Sequence, residues 1–319
     1  MANAIPSRLG QANQAGDAQA LFLKVFAGEV LTAYEEANTV LPYVDQRSIS
    51  AGKSATFPVI GKASASYHTP GTELNGAGIA ANEVVITIDD LLLAQTFIAN
   101  IDEAMNHYDV RGTYSQELGR ALAYTQDKQL LALGILAARA SARITGEPGG
   151  SVITDAAAAT DSNALIADIF AAAQKLDEKD VPSDDRVVFL RPAQFYALAQ
   201  NTKVLNKDWG GAGVYSDGKV LRVAGVDIVK TNHLPNTDLS ADTSALAGSV
   251  NGVVGKYRGN FSTTVALVMQ KSALGVVNLL DLAMESEYQI QRQGTLMVAK
   301  FAKGYGIKAP QCAVEIKVS

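Results

Sequence analysis

Apolar and polar residues alternate almost strictly from Ser48 to Pro58. This period of two predicts a half-buried strand whose apolar side chains share one face: Ile49, Ala51, Ala55, Phe57 and Val59. A second strand is predicted at Val84–Ile88, and the roughly 20 residues between the two strands include several glycines and Pro70. We therefore expect a long hairpin with a flexible tip.

A hairpin of this kind needs support, because two strands alone are only marginally stable in water. No nearby segment offers an obvious apolar face for it, so we expect a neighbouring molecule to supply one. The candidate subunit contacts are four residues of the strand region and three residues of the tip: Ile49, Lys53, Phe57 and Val59, then Tyr67, His68 and Pro70.

A long helix is predicted from Ala99 to about Arg143. Its apolar side chains fall within about 140° of arc at helical spacing: Val110, Tyr114, Leu118, Ala121, Leu122, Thr125, Leu133 and Leu136. Interior glycines such as Gly119 and Gly134 each weaken an isolated helix by about 1 kcal/mol. Tertiary packing must therefore hold this helix together.

The central region predicts a mixed α and β unit. A helical stripe of apolar residues runs from Leu165 to Leu176, with Thr160 or Asp161 as its N-cap. Arg186–Leu190 predicts a buried strand, and Pro192 marks the start of another helix. Strands dominate from Thr264 to the end of the sequence. The predicted class is α+β.

Composition narrows the functional classes. Only 18% of the residues are charged, and the net charge is −5, which argues against tight sequence-independent binding to phosphates. Low charge also hints at buried contacts between subunits. Cys312 is the sole cysteine, no apolar run reaches 18 residues, and Met1–Gly16 lacks the apolar core of a signal peptide. We expect an intracellular, soluble chain with no membrane partner.

Three glycine-containing segments resemble nucleotide-binding motifs only in part. Gly52-Lys53-Ser54 has Arg47 where a phosphate-binding loop needs glycine, and a strand follows it. Gly76–Ala81 and Gly304–Ala309 fit the loose dinucleotide pattern but lack the helix that must follow. We expect no cofactor, and a nucleotide-binding enzyme remains an alternative.

Other chemically active residues favour structural roles. The acidic pairs Glu35/Glu36, Asp89/Asp90 and Asp184/Asp185 are predicted to be solvated caps, and the three histidines, His68, His107 and His233, do not make a convincing zinc cluster. Trp209 lies in a predicted loop, where it could anchor a contact with another subunit or pack on its own domain.

Four longer strings resemble one known family. They are Leu21–Ala33, Arg47–Gly61, Ile101–Arg111 and Gly225–Pro235, and they closely resemble, in the same order, the major capsid protein of T7-like tailed bacteriophages. The resemblance covers the chain from about Ala20 to Val318.

The resemblance implies an HK97-like capsid fold. Its parts would be an N-terminal arm at 1–44, the hairpin or E-loop at 45–90, a peripheral domain with the long spine helix at 91–150, a central axial domain at 151–270 and further peripheral strands at 271–319.

The function implied is a structural one: hexamers and pentamers forming an icosahedral phage head. The expected partners are further copies of the chain, a scaffolding protein, a portal protein and packaged DNA held by non-specific contacts. Assembly would take place in the host bacterial cytoplasm. No lysine, asparagine and glutamate set for an isopeptide cross-link is evident, so we expect non-covalent assembly. A capsid decoration or adhesion module remains the other alternative.

Overall fold

The computed structural model describes residues 30–35, 37–73, 76, 78–99, 110–201 and 222–319. Two of the predicted features, Trp209 and His107, lie outside these residues, as do most of the N-terminal arm and the first part of the predicted long helix. Residues 30–35 are helical. The longer helices are α1 Val110–Arg139, α2 Ser162–Asp177 and α3 Pro192–Ala199.

The strands in the described residues are numbered in chain order. They are β1 Asp45–Ser48, β2 Ser54–Ile60, β3 Ala81–Thr87, β4 Leu92–Ala99, β5 Ser151–Thr154, β6 Arg186–Leu190, β7 Arg222–Val223, β8 Val226–Lys230, β9 Ser249–Val250, β10 Val253–Val254, β11 Thr264–Gln270, β12 Leu274–Gln289, β13 Gly294–Ile307 and β14 Ala313–Lys317.

The chain forms two compact units. The smaller unit comprises 1–38, 91–126 and 280–302, and the larger comprises 39–90, 127–279 and 303–319. The larger unit therefore holds both the hairpin and the central region. The division into five segments stays a prediction, because a compact unit can contain several such segments.

The smaller unit is a sheet with helix α1 on one face. Strands run in the order β12, β13, β4, and β13 pairs antiparallel with β4 from Phe301↔Leu92 to Gly294↔Ala99. Its core contains aliphatic and aromatic side chains from the sheet and the helices: Val30, Tyr34, Ile98, Leu118, Leu122, Met297 and Phe301. Gly119 lets the helical segment near Val30 come close, since a Cβ there would meet the Val30 carbonyl oxygen at 2.6 Å.

The larger unit is built on a six-stranded sheet in the order β5, β14, β11, β6, β8, β7. Every residue of β6 and β11 is buried, which confirms the predicted strand at Arg186–Leu190. Asp161 caps α2 by accepting a hydrogen bond from the Asn163 N–H, and Pro192 opens α3, as predicted. The strands predicted from Thr264 onward are also confirmed.

The apolar stripe predicted for the long helix is partly wrong. Tyr114 and Ala121 are exposed, whereas Ser115, Gln126 and Asp127 are buried, and the helix ends at Arg139. The polar residues are buried because they have partners. The Asp127 carboxylate accepts hydrogen bonds from the backbone and hydroxyl of Thr39, and it lies 3.1 Å from Nδ1 of His233, a loop residue as predicted.

The strand predicted from Ser48 to Pro58 is two strands. β1 pairs in parallel with β12 from Asp45↔Gly275 to Ser48↔Asn278, and only β2 belongs to the hairpin. In α2, the predicted apolar stripe from Leu165 to Leu176 is not wholly buried, because Phe170 within it is 55% exposed. Among the described residues, no helix is both long and apolar enough to cross a membrane.

Candidate intersubunit contact surface

The predicted hairpin is present, and its two strands pair antiparallel from Ser54↔Thr87 to Ile60↔Ala81. One face carries Ala55, Val84 and Ile86, all buried, and Phe57 and Val59 are half-buried on that face. The alternation read from the sequence is therefore confirmed for β2. Residues 61–73 beyond the strands have no regular secondary structure apart from a turn at 70–71.

The chain itself supports the base of this hairpin, contrary to expectation. A Cβ added at Gly306 or Gly275 would collide with the Ile86 side chain, and one added at Gly304 would collide with the Thr87 backbone. Three glycines thus make a shallow seat on which β3 lies. This seat has no signature in the sequence, because glycines carry no apolar side chain that a periodicity could reveal.

Two cations flank Phe57 on the outgoing strand. The Arg47 guanidinium carbon lies 5.6 Å from the Phe57 ring centroid, and the Arg47 Nη1 donates a hydrogen bond of 3.0 Å to the Thr56 carbonyl. The Lys308 ammonium lies 6.0 Å from the same centroid and pairs with Asp45. Phe57 therefore contributes to the anchoring of the hairpin within its own chain.

Asp89 anchors the returning strand. Its carboxylate accepts a 2.6 Å hydrogen bond from the Lys256 ammonium and another from the Tyr257 hydroxyl, and its side chain is only 10% exposed. Burial raises the pKa of Asp89 above its ordinary value of 3.8, while Lys256 and Tyr257 oppose the shift. Since the folded state holds this proton more tightly, ionisation of Asp89 lowers stability as the pH rises from 3.8 through the folded pKa.

Asp90 fixes the neighbouring turn. Its carboxylate accepts hydrogen bonds from the Ser249 hydroxyl at 2.5 Å and from the backbone N–H groups of Asn251 and Gly252 at 2.9 Å each. These bonds lower the pKa of Asp90, the Ser249 hydroxyl having the largest effect. The prediction that Asp89/Asp90 is a solvated cap is wrong for Asp89, which sits in a polar network between the hairpin and the β9–β10 turn.

The outer ends of the two hairpin strands are also held by other segments of the larger unit. The Lys62 ammonium lies 2.5 Å from the Asp180 carboxylate, and the Lys62 N–H donates to Glu147 at 3.0 Å. The Asn82 amide donates to the Arg143 carbonyl at 2.5 Å. The Asp180 carboxylate raises the pKa of Lys62, and Lys62 lowers the pKa of Asp180. Contacts within the chain thus support the hairpin as far as residues 62 and 82.

Beyond these contacts the tip is exposed. Tyr67 is fully exposed; His68, Pro70 and Lys53 are also exposed, whereas Ile49 is half-buried. The structure separates the candidates into a base group that packs on its own chain and a tip group that meets solvent. It adds Ile60, 72% exposed, and Ile79, 53% exposed. Alternation alone did not single out Ile60, because it falls on the polar side of β2.

Two of the partial nucleotide motifs lead into a strand or lie within one. Gly52-Lys53-Ser54 leads into β2, and Gly304, Tyr305 and Gly306 lie within β13, where Tyr305 is buried. Neither segment precedes the helix N-terminus on which a bound phosphate would rest. In the part of the chain that the structure describes, no three metal-ligating side chains come together.

Solved structures share this architecture. A chain of the capsid of the cyanophage P-SCSP1u matches with a TM-score of 0.79 and 43% identity, covering 100% of this chain and 99% of that one. A chain of the mature capsid of bacteriophage PhiM1 shares the fold, with a TM-score of 0.71 at 18% identity over 88% of this chain and 87% of that one. The class is therefore that of capsid subunits with the HK97-like α+β fold, as the sequence resemblance implied.

Sequence comparisons specify the family. Residues 56–317 match the Gp10A-like family of major capsid proteins. The chain is 35% identical over 317 residues to the major capsid protein of Escherichia phage T7, covering 94% of this chain and 92% of that protein. It is 33% identical over 330 residues to that of Enterobacteria phage T3, covering 97% and 94%. The chain belongs to the Gp10A-like major capsid protein family, and its role in the virion is structural.

Proposed function

We propose that copies of this chain assemble as hexamers and pentamers into the icosahedral head of a tailed phage that encloses double-stranded DNA. The observation that carries the proposal is the 43% identity to a cyanophage capsid chain over the whole of this chain, with a TM-score of 0.79. A match of that extent includes the hairpin and both compact units, which supports the same kind of assembly.

The hairpin supplies a physical route to assembly. Head-to-tail contacts close into rings when one surface meets a different surface on the next copy. The anchored strands β2 and β3 fix the direction of the hairpin, and the exposed tip with Tyr67, His68 and Pro70 reaches the next subunit. A tip without regular structure adapts to the different spacing in hexamers and pentamers.

The remaining candidates belong to the same proposal. Ile49, Lys53 and Val59 have exposed or half-buried side chains that a neighbouring copy could cover, and Phe57 is half-buried. Trp209 stays a candidate on sequence grounds. Assembly would be non-covalent, in the host bacterial cytoplasm, around a separate scaffolding protein and a portal protein. Packaged DNA would make only non-specific contacts, in keeping with a net charge of −5.

Electron microscopy of the protein expressed alone and with the scaffolding protein of its phage tests this function. The expected result is closed shells of uniform diameter made of hexamers and pentamers. Persistent monomers under both conditions would contradict it. Binding only to shells made by another protein would instead favour a decoration module.

A further inference from the structure

Strand β4 lies at the edge of the sheet in the smaller unit. The strand order places β13 on one side of it, and no described strand pairs with its other side. β4 pairs with β13 without a register shift from Leu92↔Phe301 to Ala99↔Gly294. Its outer row of backbone N–H and C=O groups is therefore long, regular and, among the described residues, not paired with another strand.

This edge lacks the usual protections against pairing. Natural edge strands carry charged side chains, proline or a bulge that discourages another strand from adding. Leu92–Ala99 contains no charged residue and no proline. Its outward-facing side chains are apolar at Leu93, 48% exposed, and Phe97, 41% exposed, with Gln95 between them.

On the other side of this sheet, strand β12 carries acidic residues. Beyond its pairing with β1, which ends at Asn278, strand β12 carries the exposed acids Asp281, Glu285 and Glu287. Two copies that met through β12 would bring carboxylates close together, which is unfavourable. Two copies that met through β4 would bring no charges together.

We propose that β4 pairs antiparallel with β4 of a second copy across a two-fold axis at Gln95. This inference deepens the proposed function, on which it rests, by naming one surface between subunits. A two-fold axis makes the contact self-complementary. With Gln95 opposite Gln95, each Leu93 lies opposite the Phe97 of the other copy, which gives two aromatic–aliphatic pairs on one face.

The half-buried residues of β13 extend this face. Leu296 lies opposite Phe97 and Val298 lies opposite Gln95 in the β13–β4 register. The joined sheets would therefore carry an apolar group on each side of the Gln95 pair that marks the axis. Towards β12 this face ends at the ion pair of Lys300 and Glu285, 2.5 Å apart. Apolar contacts bordered by a charged margin are usual in a subunit interface.

Disulfide trapping tests the pairing in assembled shells. Cβ atoms of directly opposed residues in antiparallel strands lie about 4.5–5.5 Å apart, which a disulfide can span with small adjustments. The one native cysteine, Cys312, is buried and gives little background. Shells of Gln95→Cys, treated with a mild oxidant and run on a non-reducing gel, should yield mostly covalent dimers.

Two matched variants give the proposal its controls. Ala283→Cys places an exposed cysteine on β12 and should stay monomeric. Leu93→Cys should also stay monomeric, because four residues of strand separate the two copies of position 93 by about 13 Å. Well-formed shells in which Gln95→Cys gives no dimer, or no more than these controls, would overturn the pairing. Absence of shells even from the unmodified chain would overturn the proposed function instead.

Discussion

At the scale of single residues, Asp89 anchors the returning strand of the hairpin. Its carboxylate accepts hydrogen bonds from both Lys256 and Tyr257, and Tyr257 is buried. Asp89→Ala removes the acceptor of the buried Tyr257 hydroxyl and the ion pair of Lys256, which keeps its hydrogen bond to the Thr87 carbonyl, and this should lower the free energy of unfolding by about 1–3 kcal/mol. Urea denaturation of the purified subunit measures this. The exposed Asp184→Ala is the control and should change it by less than about 0.5 kcal/mol.

Asp90 gives a prediction about pH. Its pKa is lowered below the ordinary value of 3.8, so its stabilising effect is complete above pH 3.8 and is lost as the pH falls through the folded pKa. Asp90→Asn removes this titration. The variant should therefore lose less stability than the unmodified chain as the pH is lowered below 3.8, measured by denaturation at each pH. Identical losses in both proteins would show that the Ser249–Gly252 turn does not depend on this charge.

Neither role could be deduced from the sequence. Asp89 and Asp90 precede Leu91 near a predicted strand end, which is typical of solvated caps. Their partners lie about 160 residues further along the chain, and the contact distances are set by the tertiary fold. A local pattern contains no information about such distant partners.

At the scale of elements, the glycine seat of the hairpin can be tested by adding a methyl group. Gly304→Ala would press a Cβ against the Thr87 backbone, which cannot move without shifting β3. We expect a loss of about 1–3 kcal/mol in the free energy of unfolding. Gly76→Ala is the matched control, because a Cβ at that position meets nothing within 4 Å. Equal stability of the two variants would contradict the seat.

The tip of the hairpin gives the complementary prediction. Tyr67 is fully exposed, so Tyr67→Ser should leave the thermal unfolding midpoint of the free subunit unchanged. The yield of closed shells should fall, because the variant removes a large apolar contact from the next copy. Sedimentation analysis separates shells from free subunits. The neighbouring Ser66→Ala should assemble normally, and normal shells from Tyr67→Ser would remove this residue from the candidates.

An element can be predicted from the sequence when the residues that stabilise it lie close by in the chain. β2 was predictable because alternation is a local signal, and so were the N-cap of α2 and the proline that opens α3. The pairing of β1 with β12 joins Asp45 to Gly275 and has no local signature. The burial of Gln126 in α1 likewise depends on a distant partner, the Tyr34 hydroxyl, which donates a hydrogen bond to it. The overall fold was available from the sequence only through its resemblance to a known family.

At the scale of the whole molecule, low charge and exposed apolar residues fit a chain that buries much of its surface against other copies. Only 18% of its residues are charged. Exposed apolar side chains occur on the hairpin, on β4 and on α2, at Ile60, Leu93 and Phe170. An isolated soluble protein usually keeps such residues scattered, whereas an assembling subunit needs several contact surfaces.

The central claim is that the chain supports the base of its hairpin and a neighbouring copy supports the tip. Hydrogen–deuterium exchange of the free subunit and of assembled shells tests it most directly. Amides of β2 and β3 should be protected in both states, and those of residues 63–71, which lie beyond the intrachain contacts of Gly61 and Lys62, only in shells. A tip already protected in the free subunit, or equally unprotected in shells, would contradict the claim.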